Sequence, residues 1–185
     1  MEYRYMQPGE KPLVDALRKK HKITDDFYSR WTLWRNWDSR PPLLAWDGNN
    51  IAGLYAYAFT KSGYVNSYYI WVDIPYQGKG IAGGLVNFML QEAAKAGVMR
   101  YKSRMPTGKD GEAFWRGFGV RPCGWIPQLD EQLYDYYIGG VTNIQEFIAN
   151  AATSNDLPTT DKRSLSHYKR LGVVFTDSHW LHLNA

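Results

Sequence analysis

Apolar and polar residues alternate from Glu2 to Met6, the pattern of a short edge strand, and Pro8-Gly9 turns the chain. Leu13, Val14 and Leu17 recur at helical steps and predict a helix that fades near His21. Phe27, Trp31 and Trp34 repeat that spacing and predict a second helix, starting at Thr24 or Asp25, both suited to cap it. Pro41-Pro42 ends it. Leu43 to Trp46 and Ile51 to Thr60 then read as a hairpin around Asp47-Gly48-Asn49-Asn50, and Lys61-Ser62-Gly63 turns into a long strand, Tyr64 to Val72.

Past a glycine-rich turn, Ala82, Leu85, Val86, Met89, Leu90 and Ala93 form the stripe of an amphipathic helix that Gly97 can close. Val98 to Met105 reads as a parallel strand, Asp110 to Gly117 as a short helix, and Val120 to Ile126 and Gln132 to Ile138 as two closing strands. Gly139-Gly140 reads as a hinge. Beyond it come a helix carrying Ile144, Phe147, Ile148 and Ala151, a polar linker from Thr153 to Thr160, a helix from Asp161 to Leu171, and the strand-like Val173-Val174-Phe175. Hairpins followed by one strand–helix crossover describe an α/β (α+β-like) fold with a mixed, mostly antiparallel central sheet flanked by helices. A doubly wound parallel sheet would alternate from the start. The expected division is a domain over 1–138 and a C-terminal helical extension over 139–185, packed on the domain or used in dimerisation.

Composition narrows this. With 185 residues, 44% hydrophobic and 16% aromatic, the chain suits one folded domain with an appendage and excludes a disordered one. No apolar run reaches a membrane-spanning length, and MEYRYMQPGEKP lacks the profile of a secretory signal. Cys123 is the single cysteine, so no internal disulfide is available and a reducing, cytoplasmic setting is expected. The net charge of +4 is spread along the chain. Arg18-Lys19-Lys20 falls where a helix should end and complements its dipole, so nucleic acid is not the expected partner. The mild positive bias favours a polyanionic cofactor.

The chemistry concentrates at Gln77-Gly78-Lys79-Gly80, between the long strand and its helix. The first N–H groups of a helix lack internal partners and carry partial positive charge. Gly78 and Gly80 open access to them and Lys79 adds a full charge, which makes the turn a receptor for phosphate. A Walker A loop fails, because Gly83 is followed by Gly84-Leu85 and not by Lys and Ser or Thr. A dinucleotide fingerprint is literally present in Gly78-Lys79-Gly80-Ile81-Ala82-Gly83. It expects an acidic residue about twenty positions on, where this chain has Ser103 and Arg104, and further alternating units that do not follow. The third reading is Q-x-x-G-x-A, on Gln77, Gly80 and Ala82.

With the strand before it, this third pattern resembles the acyl-CoA signature of the GNAT superfamily of N-acetyltransferases. Ala113-Phe114-Trp115-Arg116-Gly117-Phe118-Gly119-Val120 is loosely similar to a later block of that family. The resemblance implies transfer of an acetyl group from acetyl-CoA to a primary amine, of a small molecule or a protein, by direct attack in a ternary complex. It implies that backbone groups of Gln77, Gly78, Lys79, Gly80, Ile81, Ala82 and Gly83 hold the diphosphate. Main-chain groups of Ile70, Trp71 and Val72 would pair with the pantetheine arm. The side chains of Ile70 and Val72 read as core.

The usual carboxylate of the fourth strand is replaced by Asn66, which can orient a water but not take a proton, and Asp73 reads as a surface residue beside the loop. The usual tyrosine is replaced by Trp115, carried over as a cofactor contact, and Tyr168, Tyr101 or Tyr136 would have to supply the acid. Asn66 and Tyr168 are thus the catalytic candidates. A catalytically silent CoA-binding or regulatory protein of the same fold is the rival reading. Tyr28, Trp34 or Trp37 would border the acceptor site in such a fold. His167 to Val173 faintly echoes Phe114 to Val120. His179 and His182 lack partners at metal spacing, so no metal is expected, and Cys123 lacks a neighbouring base. A monomer or a homodimer is expected.

Overall fold

The computed structural model describes residues 1–21, 41–153 and 162–176. The helix expected from Thr24, with Tyr28, Trp34 and Trp37, lies outside the described residues, as do most of the expected linker and His179 and His182. By its contacts the chain divides into two compact units, Met1–Ala58 with Tyr68–Met89, and Phe59–Ser67 with Leu90–Ala185. Segment 139–185, read above as an extension, groups with the second.

In the first unit, strands β1 (Glu2–Tyr5), β2 (Leu43–Asp47), β3 (Asn50–Phe59) and β4 (Tyr64–Val72) are neighbours in that order. Glu2 pairs with Trp46 and Leu43 with Tyr55, both antiparallel. Helix α1 (Lys11–Lys20) presents Val14 to a core shared with Met6, Leu44, Trp46, Ile51 and Leu54. Arg18, Lys19 and Lys20 fill its last turn, where cations meet the negative end of the dipole. Helix α2 (Ile81–Lys95) follows β4. It comes close to the sheet because Gly53 has no side chain. A β-carbon there would stand 3.0 Å from the Trp71 carbonyl oxygen and 3.1 and 3.2 Å from Ile81 and Leu85.

In the second unit, β4, β5 (Arg100–Pro106), β7 (Glu131–Tyr137), β6 (Gly124–Ile126) and β8 (Val174–Phe175) are neighbours in that order. β5 runs parallel to β4 and the other pairs are antiparallel. One face of β5 carries Tyr101, packed against Trp115 of α3 (Asp110–Gly117) and Phe147 of α4 (Ile144–Thr153). α5 (Lys162–Arg170) adds the buried Tyr168 to a cluster of Cys123, Ile126, Leu133, Val173 and Phe175. The strand expected from Val120 begins only at Gly124. Val120 N–H is drawn to the Trp115 carbonyl and Pro122 has no N–H to give a ladder.

The echo between Phe114–Val120 and His167–Val173 has a local cause. Val120 N–H donates to Trp115 O at 3.0 Å across Gly119, and Val173 N–H to Tyr168 O at 3.1 Å across Gly172. Both glycines have positive φ. α2 ends likewise, with Val98 N–H on Ala93 O across Gly97. The shared spacing is that of a helix end whose orphan carbonyl is satisfied from beyond a left-handed residue, with an apolar pair closing over it.

Candidate active site

β4 reads Tyr64-Val65-Asn66-Ser67-Tyr68-Tyr69-Ile70-Trp71-Val72, aromatic and β-branched residues that favour extended backbone. Its ladder to β5 runs from Tyr64↔Arg100 to Ser67↔Ser103 and stops there, while β4 continues to Val72. Ile70, Trp71 and Val72 thus lie on the stretch that β5 does not pair. Their side chains are half-buried and not the full core expected for Ile70 and Val72.

Where β4 ends, Asp73 fixes the exit. Its N–H donates to Ala52 O, and its carboxylate accepts Ile74 N–H at 2.9 Å, capping the short turn Ile74–Tyr76. His21 Nε2 stands 3.4 Å from the same carboxylate oxygen, and the His21 ring packs on Trp71 at 4.9 Å. Asp73 is buried, at 9% exposure, where the sequence suggested a surface carboxylate; its carboxylate is turned to its own cap and to His21. Gln77 Nε2 donates back to Val72 O at 3.2 Å, closing the loop on the strand it left.

Gly78 and Gly80 have φ of 74° and 78°, which a residue with a β-carbon adopts only under strain. Gly84 N–H donates to Gly80 O at 3.0 Å, so α2 starts from Gly80. Among the described residues, the N–H groups of Gly78, Gly80, Ile81, Ala82 and Gly83 have no backbone acceptor. Gln77, Gly78, Lys79 and Gly80 are exposed. Lys79 Nζ rests 5.5 Å from the Tyr76 ring centroid. N–H donors at a helix start, with a lysine beside them, have the chemistry that an anion receptor needs.

The catalytic candidates belong to the second unit. Asn66 pairs with Lys102 of β5, and Lys102 with Asp135 of β7, so the three share one face of the sheet. α5 covers that face. Tyr168 OH donates to Asp135 Oδ2 at 3.0 Å, and Arg100 Nε to Asp135 Oδ1 at 2.9 Å. Lys102 Nζ stands 4.6 Å from the Tyr168 ring centroid and 5.8 Å from that of Tyr64. The structure thus brings Asn66 and Tyr168 onto one face, with Lys102 beside Asn66 in the ladder and over the Tyr168 ring.

Tyr168 is fully buried, and burial together with the Asp135 charge pushes its phenol far above the ordinary value. Its hydroxyl serves to dock α5. Burial likewise raises Asp135 to about 6, opposed by the Arg100 charge and by hydrogen bonds from Arg100 and Tyr168. Sequence reasoning passed over Asp135. A signal existed, because a lone carboxylate between Tyr134 and Tyr136 in a strand must find partners or neutralise.

Trp115 lies apart from these residues, 3% exposed on α3, against Tyr101, Phe114 and Phe147 with centroids 4.9–5.7 Å away. Tyr101 points to the opposite face of β5 from Lys102. Tyr136 OH donates to the Arg121 carbonyl. Cys123 is buried, its thiol raised by desolvation and donating to Leu133 O at 3.3 Å. Among the described residues no group of His, Cys, Asp or Glu is placed to hold a metal, and no helix is long and apolar enough to cross a membrane.

Residues 11–120 match the model of the acetyltransferase (GNAT) family, well over half of the chain. This protein belongs to the GNAT family. Solved structures agree on the fold of this GNAT chain. An N-acetyltransferase from Staphylococcus aureus Mu50 is similar at a TM-score of 0.57 and 15% identity, covering 74% of this chain and 98% of its own. Ard1 from Thermoplasma volcanium is similar at 0.56 and 11%, covering 74% and 96%. The ribosomal-protein-S18-alanine N-acetyltransferase of Escherichia coli is similar at 0.51 and 13%, covering 75% and 94%. No curated protein sequence matches the chain. In this GNAT protein the matched residues include the loop, β4 and α3, and stop before β6.

Proposed function

We propose that this GNAT protein is an N-acetyltransferase that moves an acetyl group from acetyl-CoA to a primary amine by direct attack. The observation that carries the reading is the row of N–H groups at Gly78, Gly80, Ile81, Ala82 and Gly83 that meet no backbone acceptor among the described residues. Those donors, with Lys79, would hold the diphosphate, and the loop needs no rearrangement to present them. Main-chain groups of Ile70, Trp71 and Val72, on the part of β4 that β5 leaves unpaired, would hold the pantetheine arm as an added strand.

The amine nitrogen attacks the thioester carbonyl, the carbon–sulfur bond breaks, CoA leaves as thiolate, and the nitrogen gives up a proton. Deprotonating a lysine-type amine at neutral pH costs about 4–5 kcal/mol, whereas an α-amine costs about 1 kcal/mol. Asn66 offers no base, so its part is to orient a water that takes the proton, and an acceptor of low pKa suits this site best. Tyr168 is engaged by Asp135, so the thiolate leaves without its proton.

The same two residues favour a second reading, a silent CoA-binding protein. A panel of small amines and peptide N-termini, with thioester consumption as readout, separates the two. Acetylated product with any of them supports the enzyme. CoA binding without turnover supports the silent binder, and failure to bind CoA removes both.

A further inference from the structure

The first unit buries a histidine against a carboxylate. His21 follows the last turn of α1, and its N–H donates to Leu17 O at 3.0 Å, so the helix sets its backbone. Its ring packs on Trp71 with centroids 4.9 Å apart. Nε2 is shut off from solvent and makes no hydrogen bond among the described residues. It faces Asp73 Oδ1, 3.4 Å away, and the two side chains are only 16% and 13% exposed. Separations of that length in an unliganded protein commonly shorten in the complex. The charges near the ring are Asp73 and, in the last turn of its own helix, Arg18, Lys19 and Lys20.

Asp73 cannot turn away. Its N–H donates to Ala52 O at 2.9 Å, and Oδ1 also accepts Ile74 N–H at 2.9 Å. A fixed carboxylate beside one nitrogen of a neutral imidazole keeps the proton on that nitrogen and leaves the other as acceptor. The proton here sits on Nε2, and Nδ1 holds the lone pair. Should Nδ1 gain a proton, the imidazolium already has a negative charge beside it. A pair that only pinned α1 to the turn would be expected to close its hydrogen bond, and this one stands open.

Resting on the acetyltransferase reading, we propose that His21 is the general base of the reaction and Asp73 its positioning residue. Trp71 lies on the stretch of β4 proposed to hold the pantetheine arm, so the His21 ring stands against the strand along which the thioester would run. As the amine nitrogen bonds to the thioester carbonyl carbon, its proton passes to His21 Nδ1, directly or through one water. The carbon–sulfur bond breaks, and its electron pair leaves with CoA as thiolate. The imidazolium then releases its proton to solvent, which restores the neutral ring.

The test compares wild type, His21→Gln, Asp73→Asn and the double variant, with acetyl-CoA and the best acceptor of the amine panel. Asn keeps an oxygen for Ile74 N–H, so the turn stays capped. His21→Gln should lower kcat by about 100-fold or more, and Asp73→Asn by about tenfold or more. The double variant should stay within about twofold of His21→Gln, because the two side chains act as one unit. Binding of CoA, by calorimetry, should stay within about twofold of wild type throughout. The wild-type kcat should rise across the range in which imidazoles titrate, about pH 5–8, and His21→Gln should lack that limb, any limb from the amine itself remaining in both. Nitrogen NMR of the wild type labelled at histidine needs no variant. A proton on His21 Nε2 at neutral pH supports the inference, and one on Nδ1 overturns it. Turnover that His21→Gln leaves within about threefold, or loses only in step with CoA affinity, makes the pair an anchor. That result overturns the inference and leaves the acetyltransferase reading standing. CoA binding by the wild type without turnover of any amine sinks that reading and the inference with it.

Discussion

Gly83 is the third residue of α2, counted from the Gly80 start, and a β-carbon there would meet no described atom within 4 Å. Its φ lies outside the left-handed region, so a side chain adds no backbone strain. Replacing a helical glycine gains about 0.5–1 kcal/mol. A carboxylate in the first turn adds about 0.3–1 kcal/mol through the dipole. Gly83→Glu should therefore raise Tm by about 2–6 °C for a chain of this size.

The same carboxylate would stand among the N–H groups proposed to bind the CoA diphosphate. At about 6 Å and an effective dielectric of 20–80, each charge pair repels by about 0.7–2.8 kcal/mol. Two phosphate charges together weaken binding by at least about 1.4 kcal/mol, or tenfold or more in Kd. Gly83→Gln gives the helix gain without the charge, so the difference between the two variants isolates electrostatics. Gly80→Glu shows the contrast, because its φ of 78° adds about 1–2 kcal/mol of strain and lowers Tm while CoA is lost as well. Calorimetry for CoA and a thermal melt read both quantities. A Gly83→Glu protein that melts higher and binds CoA as tightly as Gly83→Gln would refute the assignment of the diphosphate to this turn.

Three further outcomes test the fold around the site. Asp135 titrates near 6 in the fold against about 3.9 unfolded, so the folded state binds the extra proton and stability falls as pH rises from about 4 to 6. The loss amounts to about 3 kcal/mol at most, and Asp135→Asn should flatten it in a series of denaturant melts; parallel wild-type and variant profiles would refute the assignment. Tyr168→Phe should destabilise by about 1.5–3 kcal/mol by leaving Asp135 Oδ2 without its donor, measured by urea unfolding. Gly53→Val should destabilise by about 1–3 kcal/mol, since its β-carbon would press on the Trp71 carbonyl, with Ile81 and Leu85 behind it.

Local pattern determined much of this protein. The span Tyr64–Val72, the helix Asp110–Gly117 and the stop at Gly97 are where periodicity and glycine placed them, because each depends on residues close in sequence. The glycine turn before α2 was legible for the same reason: helix-start donors are a backbone property, and Gly78 and Gly80, with positive φ, mark where the chain turns into the helix. Tertiary structure decided what those patterns do together. Nothing near Asp73 in sequence announces His21, whose imidazole stands 3.4 Å from its carboxylate, and the turn that Asp73 caps is closed by Gln77 reaching back to Val72. Nothing near Tyr168 announces Asp135, thirty-three positions away, yet their hydrogen bond turns a candidate acid into an anchor for α5. Strand order then sets Lys102 between Asn66 and Asp135, and α5 brings Tyr168 to the same face. Such pairings depend on register between distant strands, and a one-residue slip would have turned Lys102 and Arg104 to the other face of the sheet.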